Sequence, residues 1–205
     1  MTALLVDVIV FEGVDELDVV GPLEVLRRAE ALGADVRCRL CSLGVIDRVA
    51  GAFGLIFLPD GEFVPGGADV VVVPGGGWVA RSDTGAWAEV KRGEWPRLLS
   101  EASESGSVLA GVCTGSMLLA HAGVIGSRQA TTHHDALDDL AAMGATVVRQ
   151  RVVDEGQVLT SGGVTSGIDL GLWLVSRYFG PSLAEVVADG LEYPWSGPGD
   201  RGVDG

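Results

Sequence analysis

The stretch Ser107-Val108-Leu109-Ala110-Gly111-Val112-Cys113-Thr114-Gly115-Ser116-Met117-Leu118-Leu119-Ala120 constrains the chain more than any other. An apolar run of strand length leads into Cys113, and the helix-forming run from Met117 to Ala120 begins almost at once behind it. A strand, a sharp turn and a helix must therefore share this short segment. The spacing Gly111-x-Cys113-x-Gly115 is the sulfur counterpart of the Gly-x-Ser-x-Gly turn, in which a strained bend lifts a nucleophile above a sheet and small neighbours keep the backbone clear. A cysteine at the mouth of a helix meets unpaired N–H groups and the positive end of the dipole, both of which favour a thiolate. A cysteine on an apolar strand is more often an inert core residue, but a plain core strand gains nothing from flanking glycines, and these raise the reading of a reactive sulfur.

The totals narrow the setting. At 205 residues the chain has room for one domain with a sizeable core, expected over residues 1–193 and followed by a loose Gly-, Pro- and Asp-rich tail over 194–205. A formal net charge of -14, with no run of Lys or Arg, argues against nucleic acid and anionic membrane as partners. Glycine is abundant, yet hydrophobic residues make up 47% of the chain, the composition of a tightly turned globular protein. Asp7 interrupts the first apolar stretch and no basic segment precedes it, so no secretory leader is expected. Residues 105–127 carry no Asp, Glu, Lys or Arg and are long enough to span a bilayer. Gly111, Thr114, Gly115, Ser116, His121 and Gly123 cut that stretch up, and it reads as a buried strand plus a buried helix. Three cysteines argue against a disulfide framework and for a reducing, cytoplasmic compartment. Cys38 and Cys41 have CxxC spacing, but a strand sends positions three apart to opposite faces and no second Cys or His pair follows, so both read as structural.

In chain order, Leu4 to Phe11 is a buried strand of the parallel type. Asp18-Val19-Val20-Gly21-Pro22 introduces a helix with Pro22 at its first turn, Leu23, Leu26, Ala29 and Leu32 facing inward, and Gly33 as its stop. Asp18 is thereby placed on a strand-to-helix loop, at the end of the sheet where doubly wound folds build sites. Val36 to Leu43 is a second strand, Arg48 to Pro59 a small antiparallel pair, and Asp69 to Val73 the most strand-like run, ending in Pro74-Gly75-Gly76-Gly77. That glycine run matches neither a dinucleotide nor a P-loop fingerprint; it reads as a tight turn or as a source of oxyanion-type N–H donors. Thr84 to Ser105 is helical with a break near Gly93 and Pro96. Arg128 to Thr132 is extended, Asp135 to Met143 helical, and Val147 to Val153 pairs with Gln157 to Thr160 around the turn at Asp154-Glu155-Gly156. Ser161 to Ser166 leads into an apolar helix through Trp173, and Pro181 opens the last helix, which ends near Tyr193. Strands alternating with helices predict a mostly parallel α/β sheet covered on both faces. Cys113, Asp18 and Gly75 to Gly77 then share one rim.

Five motifs now stand in order: Leu17-Asp18-Val19-Val20-Gly21-Pro22, Val73-Pro74-Gly75-Gly76-Gly77, Val112-Cys113-Thr114-Gly115-Ser116, Ala130-Thr131-Thr132-His133 and Gly162-Gly163-Val164-Thr165-Ser166-Gly167-Ile168-Asp169. Together they resemble the ThiJ/PfpI superfamily of class I glutamine amidotransferase-like proteins, and within it look most like the isonitrile hydratase branch. The resemblance implies a flavodoxin-like three-layer sandwich, a homodimer, and hydration of a small-molecule isonitrile to an N-substituted formamide without metal or organic cofactor. It pairs Asp18 with Cys113 and puts Thr114 in the same site. Backbone donors are expected at Gly76, Gly77 and Thr114, and pocket walls at Gly75, Val164 and Thr165.

Two departures bear on the activity. Peptidases of the superfamily carry His directly after the cysteine, where this chain has Thr114, and without a Cys–His pair to protonate a leaving amine, proteolysis is not expected. His133-His134 stands where the hydratases commonly show His followed by an aromatic residue, and His133 reads as structural rather than catalytic. Other readings stay open: a glyoxalase, deglycase or amidase using the same cysteine, or a small-molecule or redox sensor whose Cys113 is modified without turnover. Similar sensor domains occur in AraC-type regulators, but this chain stops soon after its last helix, and a DNA-binding domain is not expected.

Overall fold

A computed structural model describes residues 3–197, so the tail expected over 194–205 lies outside the described residues from 198 onward. The chain opens with β1 (Leu4–Ile9), α1 (Glu16–Ala31) and β2 (Val36–Ser42). A hairpin of β3 (Val49–Ala50) and β4 (Ile56–Phe57) follows, then β5 (Gly61–Glu62), β6 (Val70–Val73), α2 (Ala86–Arg92) and α3 (Glu94–Glu104). The central turn joins β7 (Val108–Gly111) to α4 (Gly115–His121). Beyond it come β8 (Gln129–Ala130), a 3-10 turn at His134–Ala136, α5 (Leu137–Ala142), β9 (Thr146–Val147), β10 (Val152–Asp154), β11 (Val158–Ser161), α6 (Ser166–Phe179) and α7 (Pro181–Gly190).

Seven strands form one sheet in the order β10-β11-β7-β6-β1-β2-β5. Every pairing is parallel except β10 with β11. Helices α1, α6 and α7 pack together on one face and α2, α3 and α4 on the other, giving the flavodoxin-like sandwich. Burial on both faces explains the unbroken Val70-Val71-Val72-Val73 run, all four side chains of which are buried. Register places Val73 beside Gly111 and Gly111 beside Thr160. Strands β6, β7 and β11 thus end together, and the loops that follow them emerge side by side.

Several local expectations change. Asp18 lies in the first turn of α1 rather than on a loop, because Asp15 is the N-cap, its carboxylate accepting the Leu17 N–H at 3.2 Å. Pro22 consequently sits inside the helix, where its missing N–H leaves the Asp18 carbonyl without its helical partner. Leu32 is 53% exposed, since the helix ends at Ala31 and Leu32 is its cap. The run expected from Val147 to Val153 divides: β9 pairs with β8 in a separate two-stranded sheet, and only β10 joins β11. Helix α6 continues past Trp173 to Phe179. Residues 105–127 hold the expected strand and short helix; among the described residues no helix is long and apolar enough to cross a membrane.

The first and last of the five motifs meet where α1 crosses α6. A Cβ on Gly167 would stand 3.1 Å from Pro22 Cδ, and one on Gly171 would stand 2.8 Å from Val25 Cβ. Only hydrogen at these positions lets the two helices approach so closely, and that approach carries the first turn of α1 and the start of α6 to the same end of the sheet.

Candidate functional site

Cys113 occupies the bend between β7 and α4 with φ 55, left-handed backbone that a residue with a side chain adopts at a cost. Neighbours hold it there at both ends of its peptide. Its N–H donates to the Gly162 carbonyl at 3.0 Å, and its own carbonyl accepts the Thr132 hydroxyl at 2.8 Å. The glycine two residues on is a matter of space: a Cβ at Gly115 would fall 1.9 Å from the Val73 carbonyl oxygen. Cys113 is 5% exposed.

Asp18 is fully buried, and its Oδ2 accepts the Gly75 N–H at 2.9 Å. Its Oδ1 is buried without a hydrogen-bond partner among the described residues, and the side chain facing the carboxyl group is the Cys113 thiol. The first turn of α1 is stitched to the same loop, because the Asp15 N–H donates to the Gly75 carbonyl at 2.9 Å. A Cβ at Gly75 would lie 2.4 Å from Thr114 Oγ1, so the loop backbone lies directly on the cysteine bend. The expected backbone donors divide. Gly76 N–H is engaged by Thr114 Oγ1 at 3.0 Å, and Gly77 turns to the following loop, its carbonyl accepting the Ser82 N–H. The N–H groups that reach the sulfur are those of Thr114 and Val164.

Burial and the neighbouring Asp15 push the Asp18 carboxyl well above the usual carboxylate range. Burial and the Asp18 charge likewise push the Cys113 thiol up, against the pull of the two N–H groups. The mouth of a short helix is thus not enough by itself to ionise this sulfur. The two groups behave as a coupled pair: a carboxylate beside the sulfur disfavours the thiolate, and a carboxylic acid there removes that opposition and supplies a proton. Cys38 and Cys41 are also pushed up, each to about 12, chiefly by burial, and they stand on β2 away from the pair.

Val164 shares the strained backbone, with φ 42 at a β-branched residue. It lines a cavity of about 430 Å³ together with Asp15, Glu16, Leu17, Phe53 and Leu55. Gly75 and Thr165 do not line it; Gly75 packs on Thr114, and the Thr165 hydroxyl accepts from Arg151. A larger cavity of about 770 Å³ opens at the opposite end of the sheet, between Leu4, Asp35, Asp69 and Tyr178, and no cysteine or histidine lines it. His133 packs against Gly163, and its Nδ1 accepts the Asp135 N–H, which leaves the proton on Nε2. Burial and His134 lower its pKa, so the ring is neutral near pH 7. The side chains of His133, His134 and Asp135 bring ligand atoms within 4.8 Å of one another. The imidazoles stack at 4.2 Å, however, so their in-plane lone pairs run past each other rather than converge on an ion. Thr132 belongs to the Ala130-to-His133 motif, but nothing in the pattern shows that its hydroxyl holds the Cys113 carbonyl.

A parallel sandwich whose central bend presents a buried cysteine to a carboxyl group from the first helix defines a cysteine-centred α/β protein of the amidotransferase-like class. The chain belongs to the DJ-1/PfpI family, whose model matches residues 5–177. It is 35% identical over 201 residues to the isonitrile hydratase of Pseudomonas putida, covering 98% of this chain and 83% of that protein. Among solved structures, a ThiJ/PfpI family protein from Pseudomonas syringae superposes with a TM-score of 0.81 at 26% identity, covering 98% of this chain and 80% of that one. An AraC family transcriptional regulator from Pseudomonas putida superposes with a TM-score of 0.80 at 26% identity, covering 92% and 99%.

Proposed function

We propose that the protein is a hydro-lyase of the isonitrile hydratase type, with Cys113 as nucleophile and Asp18 as the group that moves protons. The observation that carries this reading is the buried Asp18 carboxyl, which faces the thiol of a cysteine held on a left-handed bend and whose Oδ1 has no hydrogen-bond partner among the described residues. Similarity to the Pseudomonas putida isonitrile hydratase along nearly the whole chain supports the choice of substrate class.

An isonitrile carbon accepts a soft nucleophile, and attack places negative charge on that carbon. The Cys113 thiolate forms the S–C bond while protonated Asp18 delivers its proton to the carbon, giving the thioimidate R–N=CH–S. Water then adds to the C=N carbon. The Asp18 carboxylate takes a proton from that water and passes it to nitrogen, leaving R–NH–CH(OH)–S. Collapse forms the carbonyl, returns the hydroxyl proton to Asp18 and expels the Cys113 thiolate, so that both groups end as they began. The Thr114 and Val164 N–H groups steady charge on sulfur in the first and last steps. Thr114 Oγ1, by holding Gly76, fixes the loop that carries the Gly75 N–H to Asp18. The scheme calls for no metal or organic cofactor.

The test is direct. Incubated with a simple alkyl isonitrile, the wild-type chain is expected to release the formamide, and Cys113→Ala to release none above the uncatalysed rate. Formamide from Cys113→Ala at the wild-type rate would remove the cysteine from the mechanism. Methylglyoxal in a parallel assay separates a glyoxalase. The likeness to an AraC family regulator favours a second reading, a ligand sensor, which predicts isonitrile binding without turnover. We also propose that the protein is a homodimer, because Leu17, Val20, Phe53 and Leu55 leave an apolar face exposed around the 430 Å³ cavity.

A further inference from the structure

The turn from Gly162 to Thr165 supplies two of the contacts that shape the cysteine bend. Its Gly162 carbonyl takes the Cys113 N–H, and its Val164 N–H faces the sulfur. Val164 is β-branched and left-handed at φ 42, a backbone that persists only where its surroundings over-determine it.

Two of the contacts that hold this turn come from Arg151, in the loop before β10. Its carbonyl accepts the Gly162 N–H at 3.0 Å, at one end of the turn. Its Nη2 donates to Thr165 Oγ1 at 3.1 Å, at the other. Its Nε donates to Asp169 Oδ2 at 2.7 Å in the first turn of α6, and the Tyr193 hydroxyl donates to the same oxygen at 2.7 Å. One residue therefore grips the turn on both sides of Val164, and its own guanidinium is fixed from behind.

We propose that Arg151 is a positioning residue, which holds the Val164 N–H against the Cys113 sulfur and so sets how readily that sulfur gives up its proton. Arg151 acts through the turn and not by its charge: the charged groups facing Cys113 are Asp18 in the first turn of α1 and Asp15 at its N-cap, and neutral His133 packs against Gly163 of the turn. Without the grip, Val164 relaxes out of the left-handed region and its N–H leaves the sulfur. The thiolate then loses one of its two donors.

The proposal rests on Cys113 as the reactive centre but not on hydration, so it is tested by alkylation. The full-length chain is treated with iodoacetamide across a pH series, and modification of the Cys113 peptide is followed by mass spectrometry, with Cys38 as internal reference. Arg151→Met removes the guanidinium; Thr165→Val cuts only its contact with the turn and keeps the pair with Asp169. Arg177→Met is the control, because it breaks the Arg177–Asp154 ion pair, which anchors the far end of the same helix at 3.0 Å. Arg151→Met and Thr165→Val are each expected to raise the Cys113 midpoint by about half to one pH unit, slowing alkylation near pH 7 roughly three- to tenfold. Cys38 and the Arg177→Met profile should follow wild type. Should Arg151→Met fail to fold, Thr165→Val decides the matter alone. Wild-type profiles in the folded variants, or an equal shift in Arg177→Met, would overturn the proposal. Its failure is distinct from failure of the hydratase reading, which would appear as wild-type protein that makes no formamide while the alkylation shifts remain.

Discussion

A carboxyl group sealed from solvent with one backbone N–H to hold it is costly to ionise, and Asp18 is in that position. Unfolded, it releases its proton near pH 3.9. Folded, burial and Asp15 move the first proton loss of the Cys113–Asp18 pair well above that value. Between the two, the native chain holds a proton that the unfolded chain has released, so stability falls as pH rises through the window and stays lower above it. Asp18→Asn abolishes that titration, and its amide oxygen can still accept the Gly75 N–H. The melting temperature of Asp18→Asn minus that of wild type should therefore be more positive at pH 7 than at pH 4. Formamide production should fall at least about 100-fold, the scale on which a positioned proton donor contributes. A difference in melting temperature that stays flat with pH would mean that Asp18 titrates as an ordinary carboxyl group. Thr132 makes a quieter point at the same scale. Its hydroxyl holds the Cys113 carbonyl from 19 residues away in sequence, a contact no local pattern encodes.

Between elements, the site depends on how closely α1 and α6 cross. At Gly171 two effects of a methyl group oppose each other: helix propensity improves by about 1 kcal/mol, while overpacking costs about 1–3 kcal/mol. Because the new Cβ would stand 2.8 Å from Val25 Cβ and 3.1 Å from the Pro22 backbone, which cannot swing aside, overpacking should win. Gly171→Ala is expected to lower the melting temperature, and Gly190→Ala, where only the end of the Arg28 side chain is near, is expected not to. Equal melting temperatures for both would mean that the helix pair has slack. This crossing also explains what the sequence made legible. Unbroken Val runs buried on both faces announced the parallel strands, and the glycines flanking Cys113 announced the bend. Pro22 misled, because proline usually marks a first turn; here the helix starts at Glu16 under the Asp15 cap, which moved Asp18 from a loop onto the helix. The alternating run from Val147 to Val153 misled for a different reason. Its middle serves Gly162, Thr165 and Asp169 through Arg151, and these lie too far along the chain to leave a periodic trace.

For the whole molecule, the charge and the surface pull in opposite directions. Two copies of a chain carrying -14 repel one another, so association needs an uncharged face large enough to prevail. The apolar side chains around the smaller cavity offer one: Phe53 is 84% exposed at the hairpin tip, and Leu55, Leu17 and Val20 continue the face onto α1. Apolar burial is insensitive to modest salt, whereas the repulsion is screened over about 10 Å at 0.1 M. The proposed dimer should therefore tighten as salt rises, the reverse of an interface built on ion pairs. In sedimentation velocity the 21.2 kDa chain is expected to run at twice its mass, with a dissociation constant that falls between low and moderate salt. Phe53→Asp, which sets a charge into this face at the hairpin tip without touching the Cys113 bend, should shift the population to monomer. A wild-type chain that stays monomeric at every salt concentration would show that this face serves only the cavity beneath it.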